Sequence, residues 1–483
     1  MSRPNTEASC SPSASSTGGA TKAPSVVDRV PFSTKLAYGS GAFTETVLVN
    51  AIKQLANPVL NLQLGLSPGW VGMLLAIPRL WDAFTDLFVG NLSDHANTRW
   101  GRRKPFMLAG GIFSAITFCL LWLMPASLGP SGIFWYFLIG SLVFYLAYAF
   151  FSIPWNALGY ELCSNYEDRT SLMSVRTFCS TVSGLLPPWL LALTQLPIFS
   201  NTLEGARWIS ILIALIVIAV TLVVVSFVKE RKSPVTPQAE KVGVPFLPSF
   251  LSLMRNVPFI MLVTIVVLML LASAIEGSLG LYINIYHVHR GDLAASANWN
   301  GILGTAYTLL GLATVFIVPP IARAIDKRLA LALFLALAFA AAILRWFCYT
   351  PDHPYLMLVP TLLIGPAMTA MWVLISSMIA DLCDVDESKT GYRREGMFSA
   401  VYAWIFKVGV SLAYLSGGFV LVLTGFDAAL GKDQPPETLV SMRLIFVIFP
   451  AAVVLIACLL AIFYPIRKMD VLAAAELLSK KAA

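Results

Sequence analysis

The chain has 483 residues, 57% apolar against 12% charged, and a formal net charge of +7. That balance is far from that of a soluble domain and implies a membrane protein. The basic residues are spread over several short loops, so the positive charge argues for topology and not for a nucleic-acid partner.

Residues 1–30 are rich in Ser, Thr, Pro and Gly and lack the apolar core of a signal peptide, so a disordered cytoplasmic tail that stays on the chain is expected. From about residue 35 onward, apolar runs of about 20 residues or more recur. Each is long enough for a helix to cross a hydrocarbon core of roughly 30 Å, and too long for a β-barrel strand. Twelve spans are predicted, at about 35–62, 69–93, 105–126, 131–157, 170–195, 206–228, 257–286, 298–322, 329–349, 355–382, 395–424 and 439–464. The longest internal connection, 229–255, is polar and punctuated by Pro234, Pro237, Pro245 and Pro248, and it divides the helices six and six. The expected organisation is a cytoplasmic tail (1–33), an N-terminal bundle (34–228), a central cytoplasmic loop (229–255), a C-terminal bundle (256–466) and a cytoplasmic tail (467–483).

A short repeat supports the division. Glu161, Leu162, Cys163, Glu167, Arg169 and Thr170 after the fourth span recur as Asp381, Leu382, Cys383, Glu387, Lys389 and Thr390 after the tenth, and Asp94 is echoed by Asp326. Two halves with even helix counts and the same sense form a parallel repeat. Orientation follows from Lys and Arg. Arg99, Arg102, Arg103 and Lys104, then Lys229, Arg231, Lys232 and Lys241, then Arg323, Lys327 and Arg328, then Lys389, Arg393 and Arg394 occupy alternate loops. The opposite loops carry Arg207, Arg290, Lys432 and Arg443, so both termini are expected in the cytoplasm.

Within the first span, Glu45 and Lys53 lie two turns apart on one face, without an assigned role. The second span contains "RLWDAFTDLFVG". A charged aspartate at a helix centre costs roughly 2.5 to 3.5 kcal/mol on insertion scales, so Asp82 and Asp86 require an offset. Four residues apart, they share one helix face, and Thr85 can add a hydroxyl oxygen. Such an oxygen set suits sodium or a shared proton. The alternative is a structural ion pair with Arg79, three residues before Asp82. A second buried charge, Lys407, lies deep in the eleventh span and is expected to pair with the aspartates when the cation is absent, or else to face a wet cavity. Arg176 in the fifth span is a candidate for gripping a polar substrate. Glu276 and Arg345 lie in the seventh and ninth spans with open roles. Seven cysteines without a C-x-x-C pair and four scattered histidines, His287 and His289 in one loop, indicate neither a disulfide framework nor a metal site.

"RLWDAFTDLFVGNLSDHANTRWGRRKP" resembles the second-helix signature of the glycoside–pentoside–hexuronide:cation symporters, R-x-W-D-x-x-N-D-P followed by R-W-G-x-x-K-P. "YAFFSIPWNALGYEL", "MWVLISSMIADLCDVDE" and "RREGMFSAVYAWIFK" extend the resemblance over roughly residues 35–466. It implies an all-α polytopic protein with twelve transmembrane helices in two six-helix bundles, the major facilitator fold, and coupled symport by alternating access. It implies a cation site at Asp82, Thr85 and Asp86, with Thr85 standing where the family has Asn, and a coupling lysine at Lys407 beside Arg79. It implies sugar contacts at Arg176, Tyr148, Trp155, Asn156 and Trp372. The two sugar-gripping aspartates of the melibiose carriers align with Thr46 and Ser152, so neither carboxylate is present, although Glu45 is adjacent to the first.

Aromatic faces at Tyr148, Tyr160 and Trp372 suit pyranose stacking, while Asn156, Ser152 and Thr46 suit hydroxyls; ordinary packing is the alternative for each. Animal sodium-coupled lysophospholipid carriers are similar too and keep the aspartate pair and the lysine. Asp94 with Arg102 and Arg103 is expected to bridge helix ends as a cytoplasmic gate. The expected cofactor list is empty apart from a coupling ion, Na+ or H+. A monomer in the plasma membrane, taking a small carbohydrate as partner, is expected. An intramembrane aspartyl protease is excluded because both carboxylates share one helix. A non-transporting sensor on a carrier fold would carry a large soluble domain, which tails of about 30 and 17 residues do not provide.

Overall fold

A computed structural model describes residues 30–96, 98–125, 127–163, 166–228, 253–390 and 394–482. Most of the expected N-terminal tail and central loop lies outside the described residues. Among those described, every regular element is a helix. The first span runs through Phe32–Ser40 and Ala42–Ala56 and ends in a widened, π-helical turn, Asn57–Gln63. The second is Pro68–His95, the third Lys104–Trp122, the fourth Pro130–Leu162. The fifth is Tyr166–Gly184, continued after the Pro187–Trp189 turn by Leu190–Thr194, and the sixth is Thr202–Phe227. The seventh, Val257–Tyr282, also ends in a π-helical turn, Ile283–Val288. Leu293–Ile325, Lys327–Cys348, Leu358–Thr390, Glu395–Leu423 and Pro436–Ile462 are the eighth to twelfth.

Ten of these helices are long and apolar enough to cross a membrane by composition alone. The other two are the first, interrupted at Gly41, and the second, which is long enough but carries Arg79, Asp82 and Asp86. Helix starts follow local chemistry. Pro68, Pro130 and Pro436 occupy first positions, where their missing N–H is not needed. Asn201, Asn256 and Asp292 cap the sixth, seventh and eighth spans by accepting from the N–H groups of Glu204, Phe259 and Ala295 at 2.9, 3.2 and 2.9 Å. The fourth and tenth spans outrun the predicted ends at 157 and 382, because a helix continues past the point where its side chains turn polar. The final stretch is a helix, Lys468–Ala482, packed against the tenth span.

The packing repeats. In the first half the third span packs on the fourth, the second on the fourth, the third on the sixth and the first on the fifth; in the second half the ninth packs on the tenth, the eighth on the tenth, the ninth on the twelfth and the seventh on the eleventh. Each half encloses its own apolar core, around Leu48, Phe118 and Phe144 in one and around Leu262, Leu335 and Met371 in the other. Across the divide the second span meets the eleventh and the fifth meets the eighth, again equivalent pairs. This is the twelve-helix, two-bundle major facilitator architecture.

Close backbone contacts across the divide lie in the halves of the helices remote from the termini. A Cβ on Gly418 would fall 2.6 Å from the Pro68 carbonyl oxygen and 2.8 Å from Gly72 Cα, so two backbones touch there. On the equivalent side, Gly301 and Gly304 of the eighth span leave room for Trp189 and Pro188 of the fifth. Tyr282 donates a 2.6 Å hydrogen bond to Asn61, joining the ends of the seventh and first spans at the same face.

Candidate functional site

Close packing of the second and eleventh spans brings the charged residues of both helices together. Lys407 Nζ lies 3.2 Å from Asp82 Oδ2 and 3.3 Å from the Asp82 carbonyl oxygen, and it also donates to Asp86 Oδ2. Arg79 Nη1 lies 3.3 Å from the same Asp82 oxygen, with its guanidinium 5.5 Å from the Tyr145 ring centre. Both partners foreseen for the aspartates are therefore present at once. Two carboxylates face two cations, and the group is neutral. Asp82 is almost fully enclosed, its side chain 4% exposed, whereas Asp86 is 25% exposed. Asp82 Oδ1 is buried with no hydrogen-bond partner among the described residues, an open acceptor position in a low-dielectric site. The Thr85 hydroxyl donates to the Asp82 carbonyl oxygen at 3.2 Å, a backbone contact within its own turn.

A second cluster joins the first, fourth and fifth spans. Arg176 Nη2 lies 3.1 Å from Glu45 Oε2, and Asn156 Nδ2 donates to Glu45 Oε1 at 3.1 Å and to the Ser152 carbonyl at 2.8 Å. Tyr148 Oη reaches the Glu45 carbonyl at 3.4 Å, and Thr46 shares a 3.0 Å hydroxyl contact with Ser180. Glu45 thus carries a carboxylate into the place where the residues at positions 46 and 152 have none. The two clusters are linked by a continuous contact path. Arg79 lies against Tyr145, Tyr145 is edge-on to Tyr148 at 6.4 Å, and Tyr148 bonds to Glu45.

Of the other expected substrate residues, two are buried beside this cluster and one lies on the other bundle. Trp155 is 0% exposed, stacked on Tyr38 at 5.1 Å and donating to the Tyr38 carbonyl at 3.0 Å, with the Arg176 guanidinium 4.5 Å from its ring centre. Its faces are filled by protein, so in this conformation it supports Arg176 and offers no stacking surface. Ser152 is buried as well. Trp372, on the other bundle, is half-buried and edge-on to Phe406 at 5.6 Å, one residue before Lys407.

A cavity of about 380 Å³ lies beneath the Gly72–Gly418 contact. Lys53, Gln54 and Asn57 of the first span and Asn300 and Tyr307 of the eighth give it a polar lining, and Tyr414 of the eleventh lies two turns from Lys407. At 1.5 Å per residue that separation is about 10 Å, so cavity and ion group adjoin along one helix. Of these residues the sequence pointed only to Lys53; an Asn or Gln inside an apolar span was the available signal. Glu276 also lines the cavity and is ion-paired with Arg345, which is 5% exposed and 5.2 Å from the Phe446 ring centre.

On the face carrying the termini, Arg103 Nη2 and Arg102 Nη2 reach Glu161 Oε1 at 2.7 and 2.5 Å. Lys327 reaches Asp381 at 2.6 Å in the other half. The repeat noted at Glu161 and Asp381 therefore marks equivalent bridges between a short loop and the end of the fourth or tenth span. The Asp94 side chain lies outside the described residues; the bridge to Arg102 and Arg103 that is observed comes from Glu161, which sequence reasoning recorded only as part of the repeat.

The match to known proteins accords with this geometry. A family model described as MFS/sugar transport protein covers residues 37–468. The chain belongs to this family, the glycoside–pentoside–hexuronide:cation symporters. It is a multi-pass membrane transporter and not an enzyme. An uncharacterized symporter, sll1374, of Synechocystis sp. is 25% identical over 91% of this chain and 95% of its own length. The isoprimeverose transporter of Lactiplantibacillus pentosus is 25% identical over 96% and 95%. Among solved structures, a bacterial homologue of the human lysosomal transporter Spinster superposes with a TM-score of 0.66 at 14% identity, covering 93% of this chain and 97% of that one, and so shares the fold.

Proposed function

We propose that this carrier moves a sugar or glycoside together with one sodium ion or proton across the plasma membrane, with both termini in the cytoplasm. The observation that carries the reading is the Asp82–Asp86–Lys407 group with its open Asp82 oxygen. With Arg79 counted, the group is neutral while Lys407 is in place, so an added cation leaves it positively charged unless the lysine withdraws; ion and lysine compete for the same oxygens. Lys407 and the aspartates belong to different bundles, so that exchange changes what holds the bundles together, and alternating access follows. The contact path through Tyr145 and Tyr148 gives the ion group a route to Glu45, Arg176 and Asn156, where hydroxyl-rich substrate finds both donors and acceptors. The relative that carries isoprimeverose supports a carbohydrate. Both half-sites come from one chain, which supports a functional monomer.

One monovalent cation moving down about 100 mV releases roughly 2.3 kcal/mol, enough for on the order of 50-fold accumulation of a neutral solute. The deciding experiment is uptake into proteoliposomes of labelled glycosides, pentosides, hexuronides and a lysophospholipid under an imposed sodium or proton gradient. The expected result is gradient-driven sugar accumulation that Asp82→Asn reduces to the equilibrative level. Accumulation that needs no ion and is untouched at Asp82 overturns the coupling, and uptake of the lipid alone overturns the carbohydrate reading.

A further inference from the structure

The C-terminal bundle holds a second cavity, of about 390 Å³, that shares no lining residue with the 380 Å³ cavity. Its walls are apolar: Val318, Pro319 and Ala322 of the eighth span, Val373 and Met378 of the tenth, and Leu472 of the C-terminal helix. Its rim is basic. Arg323, Lys327, Arg328, Arg467 and Lys468 stand there against two carboxylates, Asp326 and Asp381.

Those carboxylates are already committed. Asp381 holds Lys327 at 2.6 Å, and Asp326 lies 3.8 Å from Arg328 Nε and accepts from the Lys468 N–H at 3.1 Å. Among the described residues, the Arg323 and Lys468 side chains reach only carbonyl oxygens, those of Pro319 at 3.3 Å and Arg323 at 3.2 Å. Asp470 adds a third carboxylate, accepting from the Arg467 N–H at 2.8 Å, and five cations against three carboxylates still leave an excess of positive charge at the mouth. Deeper in the wall, Tyr464 is 2% exposed and its hydroxyl has no hydrogen-bond partner among the described residues. A buried hydroxyl left unpaired is unfavourable, so it points to a missing acceptor.

The position supplies the remaining clue. The cavity follows the eighth span from Val318 to Asp326, about 12 Å at 1.5 Å per residue, which is most of one leaflet of a hydrocarbon core roughly 30 Å thick. Its basic mouth lies where the eighth span ends at Ile325 and the twelfth at Ile462, the level of lipid headgroups. A soluble anion uses the rim but has no use for an apolar sleeve; a neutral lipid uses the sleeve but not the rim.

We propose that this cavity binds an anionic phospholipid. One acyl chain lies between the eighth and tenth spans, the phosphate is held by Arg323, Arg467 and Lys468, and a phosphate or ester oxygen accepts from Tyr464. The site shares no lining residue with the 380 Å³ cavity, and the proposal does not depend on the identity of the transported solute.

The test uses the delipidated full-length protein in neutral detergent, titrated separately with phosphatidylglycerol, phosphatidylcholine, glycerol phosphate and inorganic phosphate. Binding is read by native mass spectrometry and by the shift in thermal unfolding. Phosphatidylglycerol is expected to be retained over phosphatidylcholine. Arg467→Gln with Lys468→Gln, both at exposed positions, should weaken phosphatidylglycerol on the order of 30-fold, at about fivefold per cation near a membrane surface. Ala322→Phe fills the sleeve while leaving every cation, and should remove lipid retention as well. Equal retention of the two lipids overturns the proposal. So does binding of glycerol phosphate or inorganic phosphate as tight as that of the lipid, which would make this a site for a soluble anion. Retention unchanged in both variants overturns it too.

Discussion

The Glu276–Arg345 pair and the Asp82–Asp86–Lys407 group both hold carboxylates opposite cations inside a membrane protein, yet one lies within a bundle and the other across two. Glu276 and Arg345 join the seventh and ninth spans, which move together when the bundles rock. Lys407 and the aspartates join helices that part company. Both groups are electrically balanced, the second once Arg79 is counted with it, and both carry the desolvation penalty of buried charge. The difference lies in what the proposed rocking would do: the first pair, within one bundle, is expected to stay intact, while the second, across the bundles, is expected to be remade in each cycle. Buried charge alone therefore does not mark function. Buried charge that straddles the interface between bundles is the better candidate, and the substitutions below test it.

That contrast can be broken most directly at its rigid end. Arg345→Met leaves Glu276 uncompensated and should destabilise the protein by about 3–5 kcal/mol, read as a large fall in thermal unfolding temperature; adding Glu276→Gln should recover most of the loss. Lys407→Met is expected to do the reverse, abolishing ion-driven accumulation with a much smaller change in unfolding temperature, because Arg79 and a bound ion or proton still neutralise the aspartates. Equal destabilisation by the two substitutions would erase the distinction.

A smaller effect is expected at the contact between backbones. Gly418→Val intrudes on Pro68 and Gly72 and should shift the balance by about 1–3 kcal/mol toward the state in which the face remote from the termini is open. Labelling of cysteines introduced along the 380 Å³ cavity, from the side opposite the termini, should rise accordingly; unchanged labelling would mean that this contact does not hold the face shut. The smallest effect belongs to Thr85→Val. Its hydroxyl serves a carbonyl within its own turn, so loss of that bond should change ion affinity by less than about 1 kcal/mol, measured as the sodium or proton dependence of uptake. A loss above tenfold would make Thr85 a direct ligand in the ion-bound state.

The twelve helices and their division were legible because a bilayer imposes length and apolarity on each span separately. Lys407 and the aspartates were legible for the related reason that a charge in such a run demands a partner. What escaped was pairing that depends on how helices rotate about their axes. Glu45 was visible, but its joint hold on Arg176 and Asn156 arises from three helices whose relative turn no local pattern encodes. Trp155 carried a family position and proved to be packed under Arg176, because the first span brings Tyr38 against its face. Glu161 stood in the repeat, and only the folded chain brings Arg103 to it. The 380 Å³ cavity is assembled from single polar residues on separate helices, each unremarkable in its own stretch.

The meeting of Gly72 with Gly418 has a practical consequence. Because the contact is made by backbone, side-chain size at either position is expected to act as a graded dial on the resting state. Alanine, serine and valine at position 418 form a series that props this face open by increasing amounts while leaving the ion group intact. Such variants offer a means of trapping the opposite conformation for structure determination without inhibitor or antibody, and of weighing the two states against each other in a single family of proteins.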